Sequence, residues 1–325
     1  MEHSPAPAVP RHASRDETLN IPIVHRADPE DVVLHVEDFQ LQEWRKWSPR
    51  STALVEIYDQ GFPTNLEARL CISVLADAIR AVTGCWTVEI AAPIPKRAED
   101  GSMLQPPPAC YFVYNISRTA VNNLKRLAFW RTETISFFVY DLSPTIPTLL
   151  FTLEGFTHCR HRALLETVRR ALHLPQRREH TMSLALENPE FQGMTEDAIH
   201  TTILDSVRIS FLELYVNGPL LVNVYCRSPT TSVAEWRMWR DALGDLAYVN
   251  PLCRAGQRLR WLRCSGCHGA DHFRRRCPFA GTPIGTGERT RDSTRSLSRE
   301  AINSFQEFMR NVYMRLDAQF DTDST

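Results

Sequence analysis

The chain has 325 residues, 43% of them hydrophobic, with nine cysteines, eleven histidines and a formal charge of -1. Length and apolar content exceed one typical domain and exclude disorder throughout, so two compact domains with additional segments are expected. No apolar run reaches the roughly eighteen residues of a membrane-crossing helix. No secretory signal pattern opens the chain, and the odd number of cysteines outlines no disulfide framework. The expectation is therefore a soluble, intracellular protein in a reducing compartment, without membrane contact. Cys71, Cys85, Cys110, Cys159 and Cys226 fall in apolar periodic segments and read as buried small hydrophobes.

Residues 1–30, opening MEHSPAPAVPRHASRDE, are rich in proline and charge and read as a disordered tail. Val32, Val33, Leu34 and Val36 then suggest a short strand or a helical turn, and Trp44 and Trp47 supply packing material. STALVEIYD alternates as a strand. The capping box Thr64 to Glu67 starts a helix carrying Leu66, Leu70, Val74, Leu75, Ile79 and Val82, and Gly84 stops it. TVEIAAPIP and ACYFVYNI read as strands around a proline-rich loop at Pro106 to Pro108. Ser117 caps a helix bearing Val121, Leu124 and Leu127, and ISFFVYDL returns to strand. The order βαββαβ predicts a split βαβ, ferredoxin-like domain, with helices on one face of an antiparallel sheet and the other face free for a ligand.

Past Ser143, Pro144 and Pro147 a related order restarts with TLLFTLEGF. A helix spans about His158 to Leu174, where Pro175 ends the pattern, and 176–200 reads as a polar, irregular insertion. SVRISFLELYV and LLVNVYC flank the turn signal Asn217-Gly218. Ser232 and Glu235 cap a helix with Trp236, Trp239 and Leu243 on one face, and YVN ends the domain as its last strand. The last helix, with Ile302, Phe305, Phe308, Met309, Val312, Tyr313, Leu316 and Phe320 on one stripe, packs on its own chain or serves self-association.

The expected fold class is thus α+β: two ferredoxin-like (RRM-like) domains, a small CCHC zinc knuckle and a C-terminal helix. The boundaries are a first domain at 31–143 with an N-terminal extension, a second at 146–250, the knuckle at 254–280, a linker at 281–297 and the amphipathic helix at 298–320.

The chemistry concentrates near the C-terminus. Cys264, Cys267, His272 and Cys277 stand at the spacing C-x2-C-x4-H-x4-C, a zinc-ligand pattern whose three thiolates and one imidazole close a tetrahedral shell and leave no open position for catalysis. His268, directly beside Cys267, and Cys253 are expected outside the shell. Residues 251–292 carry nine arginines against three acidic residues. Metal would replace a core in this short segment and present Phe273 with Arg274, Arg275 and Arg276, and Arg258, Arg260, Trp261 and Arg263 extend the same surface. An aromatic ring that stacks on an unpaired base, beside arginines that bind phosphate, suits single-stranded nucleic acid, RNA or DNA, with RNA the expected partner. The bland reading is a zinc staple with solvated arginines.

The four ligands match the CCHC zinc knuckle of retroviral and retrotransposon Gag proteins one for one, although Ser265 and Asp271 stand where that family has an aromatic and a glycine. More widely, RTETISFFVYDL, IPTLLFTLEGF, ILDSVRISFLELY, NVYCRSPTTS and CHGADHFRRRCPF resemble Gag-like proteins of fungal retroelements, some of which join RRM-like domains to a knuckle. The resemblance implies packaging or chaperoning of element RNA in a ribonucleoprotein particle. On an RRM-like sheet, Tyr58, Phe112 and Tyr114 are the candidate base-stacking aromatics.

Enzyme readings are weak. GTPIGTGERT lacks the Lys-Ser/Thr ending of a phosphate loop, the deaminase pattern is missing around Cys253, and His158 and His161 lie on different helix faces. Two function classes remain, both non-enzymatic: a Gag-like protein binding single-stranded nucleic acid, and a zinc-stabilised protein-interaction module that uses its sheet surfaces and final helix.

Overall fold

The computed structural model describes residues 22–280 apart from 61–64, 105, 133, 144, 158–159, 214–219 and 261. Thr64, the Asn217-Gly218 turn, His158, Cys159, Trp261, most of the N-terminal tail, the linker and the last helix lie outside the described residues. Among the described residues no helix is long and apolar enough to cross a membrane.

The fold is α+β, with two five-stranded antiparallel sheets. After a 3-10 turn at Asp31–Val33, α1 covers Asp38–Arg45. The first sheet follows as β1 (Ala53–Ile57), α2 (Asn65–Thr83), β2 (Glu89–Ala91), β3 (Cys110–Tyr114), α3 (Arg118–Leu127), β4 (Phe129–Arg131) and β5 (Ser136–Tyr140), in the strand order β2-β3-β1-β5-β4. Gly84, at φ +70°, ends α2 with its N–H on the Arg80 carbonyl, a left-handed position that favours glycine. Ser117 caps α3 by accepting the Ala120 N–H.

The second sheet is built from β6 (Leu149–Phe156), α4 (His161–Leu172), α5 (Pro175–Glu187), α6 (Glu196–Ser206), β7 (Arg208–Glu213), β8 (Leu220–Tyr225), α7 (Val233–Gly244), β9 (Tyr248–Asn250) and β10 (Arg254–Arg258). Its order, β7-β8-β6-β10-β9, repeats that of the first sheet strand for strand.

Three expectations change here. The insertion 176–200 is helical rather than irregular: Pro175 does not merely end α4 but opens α5 at its first turn, where a missing N–H costs nothing. Thr195 then caps α6. YVN is β9, an edge strand, and the sheet continues through Arg254–Arg258, so the segment expected to begin the knuckle is the fifth strand of the second sheet. Beside it, Gly256 faces the Phe156 ring so closely that an added Cβ would lie 2.3 Å from ring carbons. Gly256→Ala is expected to destabilise the second domain by about 1–3 kcal/mol through overpacking, measurable by urea denaturation.

Each sheet buries its helix-facing side, and the central strands are buried on the other side as well, while Val249, Ala255 and Gln257 at one edge of the second sheet stay exposed. In the first, Ala53, Val55, Tyr111, Val113, Phe137 and Val139 pack against α2 and α3. The alternate residues, Leu54, Glu56, Phe112, Phe138 and Tyr140, point to the opposite face, which the expectation of an RRM-like reader leaves free for ligand. That face is covered. Trp44 from α1 stacks on Phe112 at 5.0 Å, Trp47 packs on Tyr114, and the cysteine segment closes over Phe138. In the second sheet Val222, Val224 and Leu153 join Trp236 and Trp239 in the helix-side core, while Leu221, Asn223 and Tyr225 face the cysteine segment.

Candidate metal centre

Cys264, Cys267, His272 and Cys277 are all buried, and their ligand atoms lie within 4.8 Å of one another. Among the described residues no other such group of histidine, cysteine and acidic side chains is found. Zinc with bonds of about 2.3 Å to sulfur would set tetrahedral sulfurs about 3.8 Å apart, so the donors need to close only slightly. Local backbone geometry favours thiolates: the amides of Gly266 and Gly269 point at the sulfurs of Cys264 and Cys267 at 3.4 Å. The Cys264 N–H bonds the Gly269 carbonyl and the His268 N–H bonds the Cys264 carbonyl, folding the first ligand pair into a tight turn. His268 takes φ +58° within it and lies outside the donor group, its ring facing Glu56 at 3.5 Å. Cys253 also lies outside and is disulfide-bonded. Cys71, Cys110 and Cys226 are free and buried, whereas Cys85 is half-exposed.

Asp271, a departure from the knuckle pattern, has a definite structural place. Its carboxylate bonds His272 Nδ1 at 2.7 Å and the Tyr225 hydroxyl at 3.1 Å, and its carbonyl accepts from Asn223 Nδ2 at 2.7 Å. This fixes the tautomer that turns Nε2 toward the sulfurs, 3.2 Å from Cys267 Sγ, as a carboxylate bonded to the far ring nitrogen does for metal-bound histidines. Against the cost of burial, the hydrogen bonds to Asp271 and the cysteines raise the metal-free His272 to about 11. The donor set and its orienting partners fit zinc in a closed, structural site.

The site joins both sheets. On the first, Phe279 packs on Phe129 and Phe138, and Tyr58 lies against Cys277. Arg274 stacks 5.0 Å over the Tyr58 ring and grips Asp59 with two hydrogen bonds of 3.1 and 2.7 Å. On the second, Ala270 rests on Leu149 and Tyr225.

Residues 25–30 complete the joint. The expectation of a disordered tail up to residue 30 fails here because these residues are stitched on three sides. The buried Arg26 guanidinium pairs with the buried Glu56 carboxylate, bonds the Tyr140 hydroxyl and donates to the His268 carbonyl at 3.2 Å. Ala270 N–H bonds the His25 carbonyl at 2.7 Å. From α7, Arg237 holds Asp28 and Glu30, and Arg240 donates to the Ala27 carbonyl at 2.7 Å.

The expected nucleic-acid residues divide into two groups. Phe273 is half-buried among Leu212, Leu221 and Leu262, so its ring is packing rather than a displayed stacking platform. Arg258 is paired with Asp241 at 2.7 Å and Arg274 with Asp59. Arg260, Arg275 and Arg276 are exposed and have no ion pair among the described residues. Arg263 is half-buried. Tyr58 is half-buried with Arg274 over its ring, and Phe112 is buried under Trp44. Sequence reasoning misses Arg26, Glu56, Tyr140, Asn223 and Tyr225, which position the cluster. One signal for them exists: a lone glutamate inside the apolar run ALVEI must find a buried partner.

Comparison with protein-family models, with curated proteins and with solved structures finds no match to this chain.

Proposed function

We propose that the chain binds single-stranded RNA or DNA, with RNA the expected partner, as a non-enzymatic Gag-like protein in which two ferredoxin-like domains carry a zinc-bound CCHC segment. The strand orders support the domain reading: without the edge strands β4 and β9 they reduce to β2-β3-β1-β5 and β7-β8-β6-β10, as two interleaved βαβ units require. The observation that carries the functional reading is that Arg275 and Arg276 lie exposed on a 3-10 turn immediately before the last metal ligand, with exposed Arg260 nearby in the chain. Their charge has no acidic partner among the described residues, and the turn that bears them is held rigid from within by zinc.

Contact with the strand is electrostatic in this proposal, since the aromatic stacking candidates are occupied in packing. Three phosphate contacts predict that the logarithm of the binding constant falls with the logarithm of salt at a slope of about -2 for a single strand. Replacing Arg275 and Arg276 by glutamine is expected to flatten that slope by about 1.4. Fluorescence anisotropy of a labelled single-stranded RNA across a salt series measures both. Zinc-loaded protein that binds no strand at low salt would falsify the proposal. The competing class, a protein-interaction module that uses its sheet surfaces and final helix, has less support on the sheets, where Phe112, Phe138 and Tyr225 of the central strands are buried; the final helix lies outside the described residues.

A further inference from the structure

A cavity of about 230 Å³ opens where the N-terminal strap, β6 and the cysteine segment meet. Its charged lining is Arg240, Arg258, Arg260 and Arg263 against Asp28 and Asp31. The acids are already engaged. Asp28 is held by Arg237, with Arg240 at 3.5 Å, and Asp31 accepts the backbone N–H groups of Ala27 and Asp28 at 3.0 and 2.9 Å. Arg240 and Arg258 are both drawn to Asp241.

Arg263 differs from them. It is half-buried on the cavity wall, and among the described residues it makes no hydrogen bond or ion pair. Burial lowers its pKa, yet a guanidinium stays charged in protein environments. Glu56 and Asp31 act on it only at a distance; a desolvated cation that makes no hydrogen bond is costly, and a planar fork of N–H donors matches the oxygens of a phosphate. Arg260, exposed at the rim, adds a second unpaired cation.

We propose that this cavity seats a phosphate group, with Arg263 as the bidentate contact and Arg260 as its partner. Resting on the function proposed above, the phosphate is one of the strand backbone, which places the bound strand along the seam between the strap and the cysteine segment.

The test uses the zinc-loaded full chain with two probes, a labelled single-stranded RNA and inorganic pyrophosphate. Arg263 is then a fourth phosphate contact, which brings the expected slope to about -2.8; Arg263→Gln is expected to weaken RNA binding about tenfold and to flatten that slope by about 0.7, while Arg263→Lys retains it. Pyrophosphate is expected to shift the Arg263 Nε–Hε resonance, assigned by its loss in either variant, so the readout survives a poorly folding glutamine variant. Unchanged RNA affinity and slope in Arg263→Gln at normal zinc content would overturn the cavity as the strand's phosphate seat. If RNA binds neither protein but pyrophosphate still moves Arg263, the nucleic-acid reading fails and the cavity stands as a site for a free phosphate ligand. An unmoved Arg263 resonance refutes the cavity itself.

Discussion

The Cys267→Ser protein is expected to lose zinc, from one ion per chain to none, and with it the packing of the cysteine segment on both sheets. Structural zinc contributes on the order of 10 kcal/mol to small metal-folded segments, and this segment has little else to hold its centre. Besides the ligands, its buried hydrophobic side chains are few: Ala270 and Phe279 rest on Phe138, Leu149 and Tyr225, and Leu262 packs on Leu212 and Leu221. The helix-facing cores, with Leu75, Ile79 and Leu124 in one sheet and Trp236 and Trp239 in the other, do not involve the metal. Far-ultraviolet circular dichroism should therefore change little, while hydrogen exchange rises across residues 262–280 and on the outer faces of β5 and β8. With about 3–5 kcal/mol of the zinc contribution felt by the two sheets, the unfolding midpoint should drop by about 10 °C, at roughly 2–4 °C per kcal/mol for about 250 residues unfolding together. Metal analysis, exchange and calorimetry check the three parts. Undiminished zinc in the variant would remove the assignment of Cys267 as a ligand.

Glu56→Ala is expected to cost about 3–5 kcal/mol, the penalty for removing one partner of a buried ion pair. The Arg26 guanidinium, only 6% exposed, would be left facing Leu54, Tyr140 and the zinc turn without its counter-charge. Because Arg26 also bonds the His268 carbonyl, next to Cys267, zinc affinity should weaken about 10- to 100-fold, as for other outer-shell losses. Burial pushes the Glu56 pKa up, but Arg26 and then His268 outweigh it and hold it below the usual carboxylate range. The contribution of Glu56 is accordingly full above the unfolded carboxylate pKa of about 4.3 and is lost as pH falls through the lower folded value. Urea denaturation at neutral pH and below pH 4 tests this: the gap between wild type and variant should narrow in acid. A gap below about 1 kcal/mol at neutral pH would mean that the pair is not structural.

Much of the architecture was legible from local pattern. The spacing of Leu70, Val74, Leu75 and Ile79, the caps at Ser117 and Ser232, and the repeat of strands and helices in two halves all depend on neighbours a few residues apart, and they appear as α2, α3, α7 and two sheets of identical strand order. The metal-holding cluster was legible because a metal ion demands particular donor atoms at short spacing. The occupied sheet faces were harder. ALVEI, CYFVY and LLVNVY are apolar on both alternating faces, a sign of burial from two sides, yet nothing local in them says what lies on the second face.

The sequence by itself determined the donor set, the helix-facing cores and the duplicated order of elements, because each follows from periodicity or from the chemistry of adjacent residues. Only the tertiary structure decided that the cysteine segment is wedged between the sheets rather than carried on a free tail. It also decided that Arg26 meets Glu56, and that Phe273 and Arg274 are used in packing while Arg260, Arg275 and Arg276 remain exposed. The physical reason is separation along the chain: Arg26 and His268 stand 242 residues apart, and Arg274 and Tyr58 stand 216 apart. Which charge is neutralised and which aromatic is covered depends on contacts that form only when both sheets and the metal turn close on one another.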